Sequence, residues 1–82
     1  MAELLETAPT ANAFTAYDQA HVAVYLSLLY ASAEGTSEAE MCRDILGIDL
    51  AAAPDRAKAM LQSHLDRAHW LSTRGRRWIL ES

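Results

Sequence analysis

Ser37-Glu38-Ala39-Glu40-Met41-Cys42-Arg43-Asp44-Ile45-Leu46-Gly47, with the run from Pro54 to Leu71 that follows it, decides the fold of this 82-residue chain. The first part carries its own start and stop. Ser37 and Glu40 form a capping box, in which the Ser hydroxyl takes the N–H of residue 40 and Glu40 reaches back. Apolar Cys42, Ile45 and Leu46 repeat at helical spacing. Gly47 then supplies the left-handed residue that closes the helix, with Ile48 packing behind it. The second helix begins between Leu50 and Asp55, because Pro54 fits only a first turn, where backbone N–H groups have no helical partner. Ala57, Met60, Leu61, His64, Leu65, Ala68 and Leu71 fall on one stripe of that helix. A short helix, a glycine stop and a longer amphipathic helix make a helix-turn-helix variant within an all-α fold of three main helices. The intervening Ile48-Asp49-Leu50-Ala51-Ala52-Ala53 exceeds the usual turn of about three or four residues. It is either an early turn with Asp49 as N-cap or an inserted loop.

Upstream, Thr15-Ala16-Tyr17-Asp18 is a second capping box with Asp in place of Glu, and Asp18 also suits the positive end of a helix. It opens a long first helix expected from about Thr15 to Glu34, stopped by Gly35. Tyr17, Val24 and Leu28 form one apolar row, and Val22, Tyr25, Leu26 and Leu29 a neighbouring one; Tyr30 lies away from both. So wide a stripe suits either a central helix clasped by the other two or a helix with a partner on its second face. Tyr30, an aromatic residue beside acids, is contact material. Residues 1–12 show no periodicity, and Ala8-Pro9-Thr10-Ala11-Asn12 breaks any helix begun at Glu3. A mobile arm is expected there, with Leu4 and Leu5 free to dock, followed by a single domain over 13–82. Beyond Leu71, two conformations fit. Gly75 is either a helix C-cap after which Trp78 and Leu80 fold back over the core, or, with Arg74, the tip of a minimal wing.

The composition, 51% hydrophobic and 22% charged, is that of a folded domain. No apolar run approaches the ~20 residues of a bilayer span, and the acidic start is unlike a secretory signal. Cys42 has no second cysteine to pair with, and its place on the apolar stripe makes it a small core residue in a reducing compartment; the cytoplasm is expected. Catalytic constellations are missing. His64 and His69 point about 140° apart on a helix and cannot share a metal. His21 has no ligand-spaced neighbour, and His64 reads as a hydrogen-bonded core histidine. The sequence offers no phosphate loop, nucleophile elbow or zinc knuckle. No enzyme, cofactor, metal or small-molecule ligand is expected.

Charge separates the remaining function classes. The net charge is −4, but residues 1–50 carry eight acids against one base, and residues 51–82 six bases against three acids. If the 54–71 helix read DNA in the major groove, its outward face would hold Asp55, Ala59, Gln62, Ser63 and Asp66. Gln62 suits adenine and Ser63 a phosphate. Arg56, Lys58 and Arg67 would flank that face, with Arg74, Arg76 and Arg77 beyond it. Yet Asp55 and Asp66 would stand among phosphates, and an isoelectric point near 5.1 is far below that of typical DNA binders. DNA binding by the chain alone is therefore the second choice. The first is a protein partner with a basic surface, met by Glu34, Glu38, Glu40 and Asp44 together with Tyr30, Asp55, Gln62 and Asp66.

Several spaced blocks carry a resemblance. Tyr17-Asp18 with His21, Tyr25-Leu26-Ser27-Leu28-Leu29, Ala33-Glu34-Gly35, Leu46-Gly47-Ile48-Asp49, the run Ser63 to Trp70, and Gly75 resemble one small proteobacterial domain family. That family includes the DNA-binding domain of RovC-like transcription factors and regulators of integrative and conjugative elements. Its stand-alone acidic members are QseM-like antiactivators. The resemblance implies a helix-turn-helix variant, and for the antiactivators it implies binding to a transcriptional activator of element excision and transfer (FseA-type), which keeps the element integrated. The sequence shows no appended domain, which favours the antiactivator over the DNA-binding members.

Overall fold

The computed structural model describes residues 4–73, so the expectations for Arg74, Gly75, Arg76, Arg77, Trp78 and Leu80 lie outside the described residues. Among these the chain is all-α. Helix α1 spans Ala16–Ala20, α2 Val22–Ala33 and α3 Glu38–Met41; α3 runs into one π-helical turn, Cys42–Leu46, and α4 spans Pro54–Thr73.

The single long first helix is replaced by two. Thr15 and Asp18 form the full reciprocal box: Thr15 Oγ1 accepts from the Asp18 N–H (3.1 Å), and Asp18 Oδ2 accepts from the Thr15 N–H (2.9 Å). The break falls at His21. In a continuous helix its N–H would reach the Tyr17 carbonyl. Here that N–H donates to Asp18 O (3.1 Å), while the His21 ring, through Nδ1–H, donates to Tyr17 O (2.9 Å). The side chain supplies the bond the backbone has given up, and α2 restarts with Tyr25 N–H donating to His21 O.

At α3 half of the expected box is present, with Ser37 Oγ accepting from the Glu40 N–H (3.2 Å). Gly47 adopts the left-handed conformation expected of it (φ 72°, ψ 28°). Its N–H and that of Ile48 both donate to Cys42 O, and this wider closure makes the last turn π rather than α. Met41, Cys42 and Leu46 become the buried residues, and Ile45 is half-buried. Asp49 does not cap α4. Its Oδ1 accepts from the Ala51 N–H (2.9 Å), holding a separate turn, and α4 begins at Pro54 as its lack of an N–H requires.

The main core joins Leu28 of α2, Met41, Cys42 and Leu46, and Ala57, Met60 and Leu61 of α4, with Leu4, Val24, Ile48 and Leu65 against its edge. Fully burying a residue such as Leu28 stabilises the fold by roughly 1.5–3 kcal/mol. A smaller cluster, Tyr25, Ala68 and Leu71 with Phe14, Tyr17, Leu29 and Trp70, lies further along the α2–α4 contact. Val24 and Leu28 of one row thus go to the main core and Tyr25 and Leu29 of the other to the smaller cluster, while Tyr17 packs with the smaller cluster and Leu26 is exposed.

The described part of the segment read as a mobile arm, residues 4–12, lies against α1 and α4. Leu5 N–H donates to the Tyr17 hydroxyl (3.0 Å), Ala8 is buried with its N–H on Ser63 Oγ (2.7 Å), and Glu6 meets Arg56. Nothing in its composition signals these contacts, because each is made by a backbone group or by a partner some 12 to 55 residues away.

Candidate functional site

The acids expected to meet a partner fall into two groups. Glu34 caps the end of α2, Gly35 (φ 78°) turns the chain, and Glu38 and Glu40 stand exposed in the first turn of α3, where they also complement the helix start. Asp44 is exposed but already matched. Arg43 Nε donates to its Oδ1 (2.9 Å), and this contact holds the Asp44 carboxyl below the usual carboxylate range. On α4, Asp55, Gln62 and Asp66 share one exposed stripe, and Gln62 Nε2 donates to Asp66 Oδ1 (2.7 Å). Tyr30 is 70% exposed, and Leu26, one turn earlier on α2, is 62% exposed.

Arg67 requires a correction. The helical wheel put it on a flank of α4, within reach of a phosphate; in the structure it is 4% exposed. Its NH2 donates to Asp18 Oδ2 (2.6 Å) and its Nε to Asp18 Oδ1 (3.1 Å). NH1 donates to Ala11 O (2.6 Å), and NH2 also to Ala13 O (2.7 Å). The buried stripe of α4 keeps six of its seven expected residues but is rotated by roughly 20°. Arg67 therefore joins the buried face and Leu65 is left at its edge. Asp18, read only as a helix-start residue, is fully buried as the counter-charge. Burial works to raise its pKa, but the Arg67 guanidinium, the Thr15 donors and the Tyr25 hydroxyl outweigh burial and hold it below the usual range. Burial and the Asp18 carboxylate in turn push the Tyr25 hydroxyl up.

His64 is the hydrogen-bonded core histidine that the sequence implied. Its Nδ1–H donates to Met60 O (2.8 Å), which leaves Nε2 to accept from the Tyr17 hydroxyl (2.7 Å). Burial lowers its pKa, with His21 adding to the effect, so the ring is held neutral. The Cys42 thiol is buried and its pKa is raised, also by burial, which makes it an unreactive core group.

The other bases of α4 are differently placed. Arg56 is exposed but tied to Glu6, its Nε donating to Oε1 (2.6 Å). Lys58 is exposed and, among the described residues, is the α4 base left without an ion pair. Among the described residues no His, Cys, Asp and Glu side chains gather to hold a metal ion, and no helix is long and apolar enough to cross a membrane.

Sequence reasoning missed one feature altogether. Between the arm and α4 lies an open cavity of about 480 Å³, walled by Pro9, Thr10 and Asn12 on one side and by Ser63, Asp66 and Trp70 on the other. A proline followed by small polar residues, opposite an acid four residues before a Trp, is the only trace of it in the sequence. In comparisons with known proteins, no family model matches the chain and no curated protein is significantly similar to it.

Proposed function

We propose that this chain is a protein-binding regulator, an antiactivator that occupies a basic surface of a transcriptional activator and blocks it by direct contact. One observation carries the reading. On the helix that a DNA reader would present, Arg67 is withdrawn into the interior and Arg56 is tied to Glu6, while Asp55 and Asp66 face outward. That surface repels phosphates, and it attracts a partner of opposite sign. The exposed acids of the α2–α3 corner, Glu34, Glu38 and Glu40, extend the same preference, and Tyr30 with Leu26 offers apolar contact on α2. The family resemblance of the sequence supplies the partner class, an FseA-type activator of integrative-element excision.

Reversing the corner charges (Glu34→Lys, Glu38→Lys and Glu40→Lys together) tests it. Capture of the activator should fall at least about tenfold while the chain stays folded, since these residues are exposed and Glu38 and Glu40 each complement the α3 start by only about 0.3–1 kcal/mol. Undiminished capture argues against the reading. A gel shift of element DNA by the chain alone at low salt, absent on this account, would instead support the DNA-binding alternative through Lys58 and Gln62.

A further inference from the structure

We infer that the cavity between the arm and α4 is a receptor for a single arginine or lysine side chain from a basic segment of the protein partner; this rests on the protein-binding reading above. The cavity is built rather than incidental. The arm is pinned on one side by the Ala8 N–H on Ser63 Oγ (2.7 Å), and on the other by Arg67, which donates to Ala11 O (2.6 Å) and Ala13 O (2.7 Å). Pro9 and Thr10, the wall, lie between those pins. Its volume of about 480 Å³ is within the range of ~300–1,000 Å³ found for ligand pockets.

The charge of the cavity follows from counting hydrogen bonds. Arg67 lines it, but four of the guanidinium bonds are already made, two to Asp18, which matches its charge. Asp66 is the other ionic residue of the lining. Its Oδ1 accepts one bond from Gln62, and a carboxylate has about four lone-pair sites, so it has capacity for further donors. The cavity is left acidic, and Asp66 is the group that confers this. Trp70 and Pro9 supply apolar surface beside it, the match for a hydrocarbon stem that ends in a cation. The Trp70 ring already accepts one cation, the Arg67 Cζ lying 4.4 Å from its centroid. A partner anchored here would sit beside the exposed stripe of α4.

The test titrates the full-length ¹⁵N-labelled chain with N-acetyl-arginine amide, its uncharged isostere N-acetyl-citrulline amide, and spermidine. The expected result is saturable shifts at the Trp70 indole N–H, the Asn12 side-chain amide and the Ser63 and Asp66 N–H groups with the arginine compound. The citrulline compound should leave them unmoved. Asp66→Asn, an exposed change, should weaken binding about fivefold, the size of one ion pair at a surface. Equal shifts with citrulline, shifts unaffected by Asp66→Asn, or tighter binding of spermidine would each overturn the assignment. Should the cavity fail this test while the charge-reversed corner still abolishes activator capture, only the cavity assignment falls; if capture persists, the protein-binding reading falls with it.

Discussion

Cutting back the Arg67 side chain (Arg67→Ala) is expected to lower the free energy of unfolding by about 3–5 kcal/mol, the range for breaking a buried ion pair from one side. The remaining groups explain the size. Asp18, fully buried, would keep the Thr15 N–H (2.9 Å), the Thr15 hydroxyl (3.0 Å) and the Tyr25 hydroxyl (2.8 Å). It would lose both guanidinium bonds and its counter-charge, and the Ala11 and Ala13 carbonyls would lose their donor. The three surviving donors favour the lower part of the range. A domain of this length has roughly 4–12 kcal/mol in all, so about a quarter of the margin or more is at stake. At ~4–8 °C per kcal/mol, the thermal midpoint should drop by at least about 12 °C. Asp18→Leu should cost as much, since it strands the guanidinium. The double variant Asp18→Leu with Arg67→Met should recover a large part of either loss, because no charge is then left uncompensated. Urea unfolding of the parent, Asp18→Leu, Arg67→Met and the double variant, followed by circular dichroism, closes the cycle, with Arg67→Ala measured beside it. Single losses under about 1 kcal/mol, as for an exposed pair, or effects that add within about 0.5 kcal/mol, would refute the reasoning.

Two more outcomes follow from the buried groups and the helix stop. His64 has a lowered pKa in the folded chain, so its contribution is complete above the unfolded value of about 6.5 and is lost as pH falls below it. The urea midpoint should therefore fall between pH 7.5 and 5.5, and a slope unchanged in His64→Gln would count against this. Gly47→Ala meets open space around the added Cβ, so its cost is the left-handed backbone alone, about 1–2 kcal/mol, with Gly47→Asn milder. Equal thermal midpoints for parent and Gly47→Ala would contradict that.

The all-α architecture was legible because its signals are local. A cap bonds an N–H three residues on, a glycine relieves its own φ, and a proline restricts its own turn. Thr15–Asp18, Ser37–Glu40, Gly47 and Pro54 therefore marked helix ends correctly. The apolar stripe of α4 likewise announced Met60, Leu61, His64 and Ala68 as buried, and the apolar spacing of the preceding helix did the same for Cys42. The candidate surface was half legible: the exposed acids are where their spacing put them, but the cavity beside Asp66 depends on an arm with no pattern of its own.

What the sequence determined by itself, then, is where helices start, stop and turn an apolar side. Only the folded chain decided that Asp18 and Arg67 meet inside it, 49 residues apart, and that His21 divides the first helix. The reason is physical: a carboxylate or guanidinium is written with the same letter whether water or a buried counter-ion satisfies it. Which of the two applies is set by long-range packing, here the rotation of α4 that turned one of its expected surface bases inward.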